Sequence, residues 1–381
     1  MLLREATGRV TTWREEQLAD PRHSERVAAI LGITLALCFT LCFATGLISH
    51  LVQHPTSWFH WPSRPAGLYR FTQGLHVVSG IAAVPLLLAK LGAVFPRLFQ
   101  WPIADDFVHA LERLSLLPLV GGALFMLVTG VANIELWYPW VFFFPAGHYA
   151  VSWVLMGSLV IHIAAKASIS RRALRTPVAE PTPVARDRRR FLLAAAGASG
   201  TLVAVTIGQT LRPLRRVAFL APRRPDIGAQ GFPVNKTVRE AGVGQVIADS
   251  SYALTIRRGS VVKTLSLTDL AALPQRSATL PIACVEGWSA SRRWTGVSLR
   301  TVLDHVGITD ADEVRVGSVQ KGGRYRASVL GHDHVHDPDT LLAMQVDGEP
   351  LHPDHGYPIR LIAPNRPGVL QTKWVATLDV R

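Results

Sequence analysis

Cys284 stands alone in the polar half of this chain, within Ile282-Ala283-Cys284-Val285-Glu286-Gly287-Trp288-Ser289, while Cys38 and Cys42 lie in an apolar run near the N-terminus. A single thiol builds no disulfide framework, so it is either an inert buried group or a soft metal ligand. Histidines form the second chemical set. His148 and His162 share one apolar stretch, fourteen residues apart. At 3.6 residues per turn they return to within about 40° of one helix face, roughly 21 Å apart along the axis. His76 lies on another apolar stretch. Ionisable groups there are costly to bury and so carry a functional expectation. Neutral imidazoles from two helices can hold a haem iron from both sides.

The elements that must carry these groups fall into two kinds. Residues 27–52, 71–95, 109–134, 148–168 and 191–211 are apolar runs, long enough to span roughly 30 Å of hydrocarbon at about 1.5 Å per residue. An all-α membrane bundle of five transmembrane helices is expected, with residues 1–26 as a polar N-terminal segment and no cleavable signal peptide before the first span. The net charge of +13 suggests nucleic acid until it is located. Residues 231–381 carry 17 Lys/Arg against 15 Asp/Glu, so nearly all of the excess flanks the apolar runs. Nucleic acid is excluded on that ground; the partner is membrane lipid. The basic segment 171–190 reads as cytoplasmic by the positive-inside rule. Five spans then leave the N-terminus inside and residues 212–381 outside the cytoplasm. The aromatic connections Trp58-Phe59-His60-Trp61 and Trp137-Tyr138-Pro139-Trp140 fall at the outer interface. Arg188 and Arg189, followed by Arg190-Phe191-Leu192, serve either as an internal twin-arginine export signal or as a plain anchor.

Four spans with a histidine on the second and a His-x13-His pair on the fourth resemble the di-haem b-type cytochrome subunits of respiratory enzymes, over about residues 25–170. The resemblance implies one or two haem b groups, an outer one on His76 and His148 and an inner one on His162. The family usually takes its other inner ligand from the inner end of span one, where this sequence has Gly32. His109, opening span three, is the candidate partner of His162. His50 and His54 are competing outer ligands or line a quinol site, with solvated interfacial histidines as the alternative for these and for His109.

Residues 212–231, rich in Pro and Arg, read as a linker. Short β-branched runs follow at 252–257, 261–266, 279–284, 313–319, 325–329, 341–346, 359–363 and 375–380, with helices at 268–273 and 299–306. This is a strand-rich α+β domain over 232–381. The alternating histidines of His332-Asp333-His334-Val335-His336-Asp337 suggest zinc or copper but read better as a solvated polar loop, from which His332 could reach a substrate pocket.

The motifs of this domain, Cys284-Val285-Glu286-Gly287-Trp288-Ser289, Trp294-Thr295-Gly296-Val297, Asp347-Gly348-Glu349-Pro350-Leu351, His355-Gly356-Tyr357-Pro358-Ile359-Arg360-Leu361 and Lys373-Trp374, resemble the molybdopterin-binding core of the sulfite oxidase superfamily. The likeness is greatest to its bacterial branch, which includes the catalytic subunit of methionine-sulfoxide reductase. It implies a molybdenum-molybdopterin cofactor with Cys284 on the metal. Arg360 first and Lys373 second would hold the pterin phosphate, with Arg292, Arg293 and Arg366 as contributors, Asn235 beside the pterin, and Tyr357 and Trp288 packing the pocket. Together the two resemblances imply a bacterial cell-membrane oxidoreductase. Quinone/quinol or another donor and haem would exchange electrons with a small-molecule substrate through oxygen-atom transfer. S- or N-oxide reduction comes first, sulfite-type oxidation second, and a non-catalytic scaffold is the reading from another class.

Overall fold

A computed structural model of the chain describes residues 12–99, 107–176, 183–221, 223–248, 251–284 and 286–381. The chain forms two compact units, one of Met1–Leu47, Leu75–Gly208 and Arg216–Leu220, the other of Ile48–Gly74, Gln209–Arg215 and Ala221–Arg381.

The apolar runs become five long helices: α1 (Glu25–Gln53), α2 (Leu68–Val94), α3 (Phe107–Ile134), α4 (Phe144–Arg175) and α5 (Pro183–Ile207). All five provide stretches long and apolar enough to cross a membrane. Val27, Leu31, Leu35 and Phe39 recur every fourth residue and so share one stripe of α1. That stripe joins a core with Leu86 and Leu87, Ala123, Leu155 and Leu159. The opposite surfaces are apolar too, since Ile33, Leu37, Leu88, Val128, Val160 and Leu193 are exposed. Such helices lack the polar outer face of an amphipathic helix in water. Polar groups turn inward and find backbone partners: Lys90 Nζ donates to Ala28 O at 2.6 Å and Ser199 Oγ to Ala82 O at 2.9 Å. α5 begins at Pro183, well before the span start expected at Phe191, so Arg186, Arg188, Arg189 and Arg190 are helical rather than in a loop. Proline at a helix start and good helix formers such as arginine account for the extension. Within the expected basic loop, residues 177–182 lie outside the described residues.

The second unit is built on two five-stranded sheets. One has the order β2 (Val261–Ser266), β1 (Ala253–Arg258), β10 (Val375–Val380), β5 (Val314–Ser318), β6 (Ala327–Leu330). Only the β1–β10 pairing in it is parallel, with Thr255 opposite Thr377. In the other, β3 (Gln275–Ala283) pairs with β4 (Ser289–Ser298), β4 with β7 (Leu341–Val346), and β7 with both β8 (Glu349–Pro350) and β9 (Arg360–Ile362). Short helices α6 (Val238–Ala241), α7 (Gly244–Ala248), α8 (Leu267–Ala272), α9 (Leu299–His305) and α10 (His332–His336) complete it. Alternation drives the sheets: Leu254 and Ile256 of β1, Val314 and Val316 of β5 and Leu378 of β10 point into one core with Leu299, Val302 and Leu303 of α9. Ser266 and Asp269 close a capping box that starts α8, and Ser298 caps α9. Strand β4 escapes the sequence reading because Ser-Ala-Ser-Arg-Arg looks like loop. Pairing along β3 from Gln275↔Val297 to Ala283↔Ser289 overrides that local preference.

Two expectations change here. The end of the expected linker 212–231 is tied down: Gln230 Nε2 donates to Pro350 O at 2.8 Å, and Ala229 O accepts from His355 Nε2 at 2.6 Å. The alternating histidines form α10 and not a loop.

Candidate functional site

Cys284 follows the last residue of β3 and opens the tight turn to β4. Its backbone N–H donates to Trp288 O at 2.9 Å, and Gly287 N–H donates to Cys284 O at 3.2 Å. Gly287 holds φ 86°, a conformation that favours a residue without a Cβ. The thiol is buried, with 1% of the residue exposed. Asn235 Nδ2 donates to Sγ at 3.0 Å, and Glu286 N–H reaches it at 3.5 Å. Asn235 is held in that orientation because its Oδ1 accepts from Arg223 Nη1 at 3.0 Å. Arg223 also pairs with Glu286 at 3.0 Å, and Trp288 Nε1 donates to the same carboxylate at 3.2 Å. Burial, and after it the Glu286 carboxylate, pushes the Cys284 thiol above its usual range. A free thiolate there is unfavourable, whereas a bound cation would stabilise it.

A cavity of about 270 Å³ opens beside this turn. Asn235, Glu286 and Trp288 line it together with Arg360 and Lys373, so the expected cofactor residues do converge. Arg360 comes from β9 and donates from Nη1 to His355 O at 3.0 Å. Its Nε has no partner among the described residues, and burial pulls the guanidinium down to about 9. Lys373 Nζ donates to the carbonyls of Lys236 and Asp354 at 2.9 and 2.7 Å. Burial, then the charge of Arg360, lowers it to about 7. Gly356 lets these two segments meet. It has φ 113°, and a Cβ on it would sit 3.1 Å from Arg360 Cβ and 3.3 Å from Lys373 Cα.

Other expected residues lie elsewhere. Arg292, Arg293 and Arg366 do not line the cavity. Arg366 Nη1 instead donates to Val329 O at 2.9 Å, and Arg292 lies over the Phe232 ring. Tyr357 is exposed and also absent from the lining, whereas Trp288 packs it as expected. His332 points to Asp312 at 2.8 Å and not to the cavity. Sequence reading missed Arg223, hidden in the supposed linker, and Lys236, Gln320, Arg324 and Tyr325 of the lining. The basic cluster Lys321-Gly322-Gly323-Arg324-Tyr325 was the available signal for the last two.

In the helical unit His76 and His148 come together, with ring centroids 6.3 Å apart. His76 Nδ1 donates to Cys42 O at 2.9 Å. His148 Nδ1 is 3.4 Å from Thr129 Oγ1, whose own proton goes to Phe125 O at 2.7 Å, so the imidazole is the donor. Both lone pairs are thereby left on Nε2. His162 is half-buried further along α4. His109 lies on α3, but its side chain is outside the described residues. His54 Nδ1 donates to His50 O at 3.0 Å and its Nε2 accepts from Arg324 at 3.2 Å, so neither nitrogen is left for iron.

Residues 241–381 match the oxidoreductase molybdopterin binding domain family. A putative protein-methionine-sulfoxide reductase subunit YedZ1 of Azospira oryzae is 33% identical over 162 residues, 42% of this chain and 61% of that protein. Mitochondrial sulfite oxidase of Drosophila melanogaster is 31% identical over 163 residues, 35% of this chain and 28% of that protein. A nitrate reductase of Ulva prolifera is 29% identical over 194 residues, 42% of this chain and 22% of that protein. The chain thus spans less than two thirds of each of these relatives. It carries a molybdopterin-binding oxidoreductase domain of the sulfite oxidase type. The residues present fit that cofactor: buried Arg360 and half-buried Lys373, neither ion-paired with a carboxylate among the described residues, face the cavity, and the thiol of Cys284, a soft donor, lies beside it.

Proposed function

We propose that this chain, with its molybdopterin-binding oxidoreductase domain, is a bacterial membrane enzyme that reduces a small S- or N-oxide outside the cytoplasm with electrons drawn from quinol through haem b. The observation that carries the reading is the meeting of buried Arg360 and half-buried Lys373, neither in an ion pair with a carboxylate among the described residues, in the cavity beside Cys284. When bound, the molybdenum cofactor supplies two-electron oxygen-atom transfer. Cys284 would hold the metal as thiolate, Asn235 would orient that sulfur, and Arg360 and Lys373 would hold the pterin phosphate. In the net reduction the S–O or N–O bond breaks and the oxygen leaves as water, taking up two protons and two electrons. Glu286 lines the cavity and its carboxyl is pushed up by burial.

Support for the membrane part is of two kinds. Five apolar helices present apolar side chains outward as well as inward. His76 and His148 face each other with their Nδ1 atoms committed to donation, so their Nε2 atoms would hold the iron of one haem b, which supplies one-electron transfer when bound. His162, with His109, remains the candidate for a second haem. The arginines at the start of α5 favour a cytoplasmic start for that helix, hence an outer catalytic domain and a cytoplasmic N-terminus. The sulfoxide preference rests on the reductase-subunit relative.

Molybdenum and haem quantification on wild type and Cys284→Ala tests the whole assignment. Wild type should contain both and reduce methionine sulfoxide or a related S- or N-oxide. The variant should keep haem and lose at least about a thousandfold in turnover, as for removal of a residue that holds the reacting centre. Undiminished turnover in the variant would sink the role of Cys284. Turnover of sulfite but of no oxide would reverse the direction of reaction.

A further inference from the structure

We propose that Asp312, His332 and His336 form a surface site for a divalent transition-metal ion of the zinc class, separate from the cavity beside Cys284. Strands β5 and β6 pair antiparallel with Val314 opposite Leu330. Carrying that register two residues past the strand ends brings Asp312 opposite His332. Their side chains meet there, with Asp312 Oδ1 2.8 Å from His332 Nδ1. His332 then opens α10, a single turn ending at His336. Residues four apart share a helix face, and the two rings lie 4.3 Å apart by centroid. His334, between them, turns to the other face, where it is buried and its Nε2 meets Pro364 O at 3.2 Å. The helix thus sorts the alternating histidines into two outward and one inward.

One ligand atom from each of the three outward groups lies within 4.8 Å of the other two. Zinc takes such ligands at about 2.0–2.2 Å in a tetrahedron, which sets them roughly 3.3 Å from one another. All three side chains are exposed, so small χ rotations close the site and leave water in the fourth position. Two imidazoles and one carboxylate suit a borderline ion such as zinc better than calcium or magnesium, which prefer all-oxygen cages. One neighbour opposes binding: Arg300 Nη1 lies 3.4 Å from His336 Nδ1. Its charge is answered by Asp304 at 2.9 Å, and Nη2 also donates to Thr309 O at 2.7 Å. The ion would clip the open end of the β5–β6 hairpin, whose turn contributes Gln320, Arg324 and Tyr325 to the cavity.

The test titrates Zn²⁺ into the chelator-stripped, full-length, molybdenum-loaded protein in competition with a chromophoric chelator. Wild type should bind one equivalent that the double variant His332→Ala/His336→Ala lacks, with molybdenum content unchanged. Asp312→Asn should weaken that equivalent at least about tenfold. Arg300→Met should tighten it. His352→Ala removes another exposed histidine near a carboxylate, Asp354 at 3.9 Å, and should change nothing. Equal zinc in wild type and the double variant, or loss of the equivalent only in His352→Ala, would overturn the site. So would failure of wild type to take up zinc at micromolar concentrations. If a variant loses molybdenum, zinc-induced thermal stabilisation of wild type decides: a rise with zinc supports the site, and an unchanged midpoint at saturating zinc refutes it.

Discussion

The helical half gives several of its inward polar groups backbone partners, whereas the C-terminal domain places buried Arg360 and half-buried Lys373 around a cavity. Lys90 reaches the carbonyl of Ala28, His76 that of Cys42, and Ser199 that of Ala82. Arg360 and Lys373 have carbonyl contacts too, yet neither is in an ion pair with a carboxylate among the described residues, and Arg360 Nε meets nothing among them. Uncompensated buried charge is expensive, on the order of several kcal/mol per ion. A fold that keeps two such groups around one cavity is complementary to an anion. The helical half differs in its outer surface, which is apolar where the domain is polar. One region presents an apolar outer surface; the other combines a more polar surface with a cavity lined by cations.

The largest effect that could break this contrast is at His76. His76→Ala should abolish the reduced haem b absorbance attributed to the His76–His148 pair while leaving molybdenum unchanged. An unaltered spectrum would remove the pair from haem binding. Next comes the outer surface of the helices. Val160, exposed near the middle of α4, should tolerate Leu freely. Val160→Arg should cost about 2.5–3.5 kcal/mol of insertion, read as protein lost from the alkali-resistant membrane fraction. No loss would argue that this face meets water.

Arg360→Met sharpens the other side of the contrast because its sign should invert with loading. The cofactor-free domain should gain on the order of 1–3 kcal/mol in a urea titration, as an uncompensated buried charge disappears. Retention of the cofactor should fall by roughly 10- to 100-fold through loss of charge-assisted bonds to phosphate. The same sign in both states would contradict an anion site. The smallest effect per measured step is the pH dependence of Lys373, read as a slope. It titrates near 7 in the fold, against about 10.4 when unfolded. Between those values the unfolded chain holds more protons, so stability of cofactor-free protein should rise with pH from about 7 towards 10. The slope is at most about 1.4 kcal/mol per pH unit, and Lys373→Met should flatten it.

Much of this was legible in the sequence where the signal is local. The five apolar runs became α1 to α5, and the motifs around Cys284, Arg360 and Lys373 did share a cavity. What escaped depended on pairing or on packing across long separations. β4 contains a run that looks like a loop until β3 and β7 flank it. Arg223 sits in a Pro- and Arg-rich stretch, and only its bonds to Asn235 and Glu286 mark it as part of the site. Equally, nothing in a charge count separates Arg360, which lines the cavity, from Arg366, which is buried too but is bonded to Val329 O away from the lining. The histidine run misled for the opposite reason: its alternation suggests an extended loop, and one turn of helix changes which residues are neighbours.

The position of β10 bears on how this domain comes into being. Val375–Val380 fills the middle of its sheet, parallel to β1 and antiparallel to β5, with Thr255 opposite Thr377 across more than a hundred intervening residues. A nascent chain that stops short of Val375 leaves the edges of both β1 and β5 bare at once, and bare edges invite pairing with other chains. Contacts so distant in sequence also form slowly. Completion of this sheet therefore waits for synthesis of β10, and until then the bare edges of β1 and β5 are open to other strands.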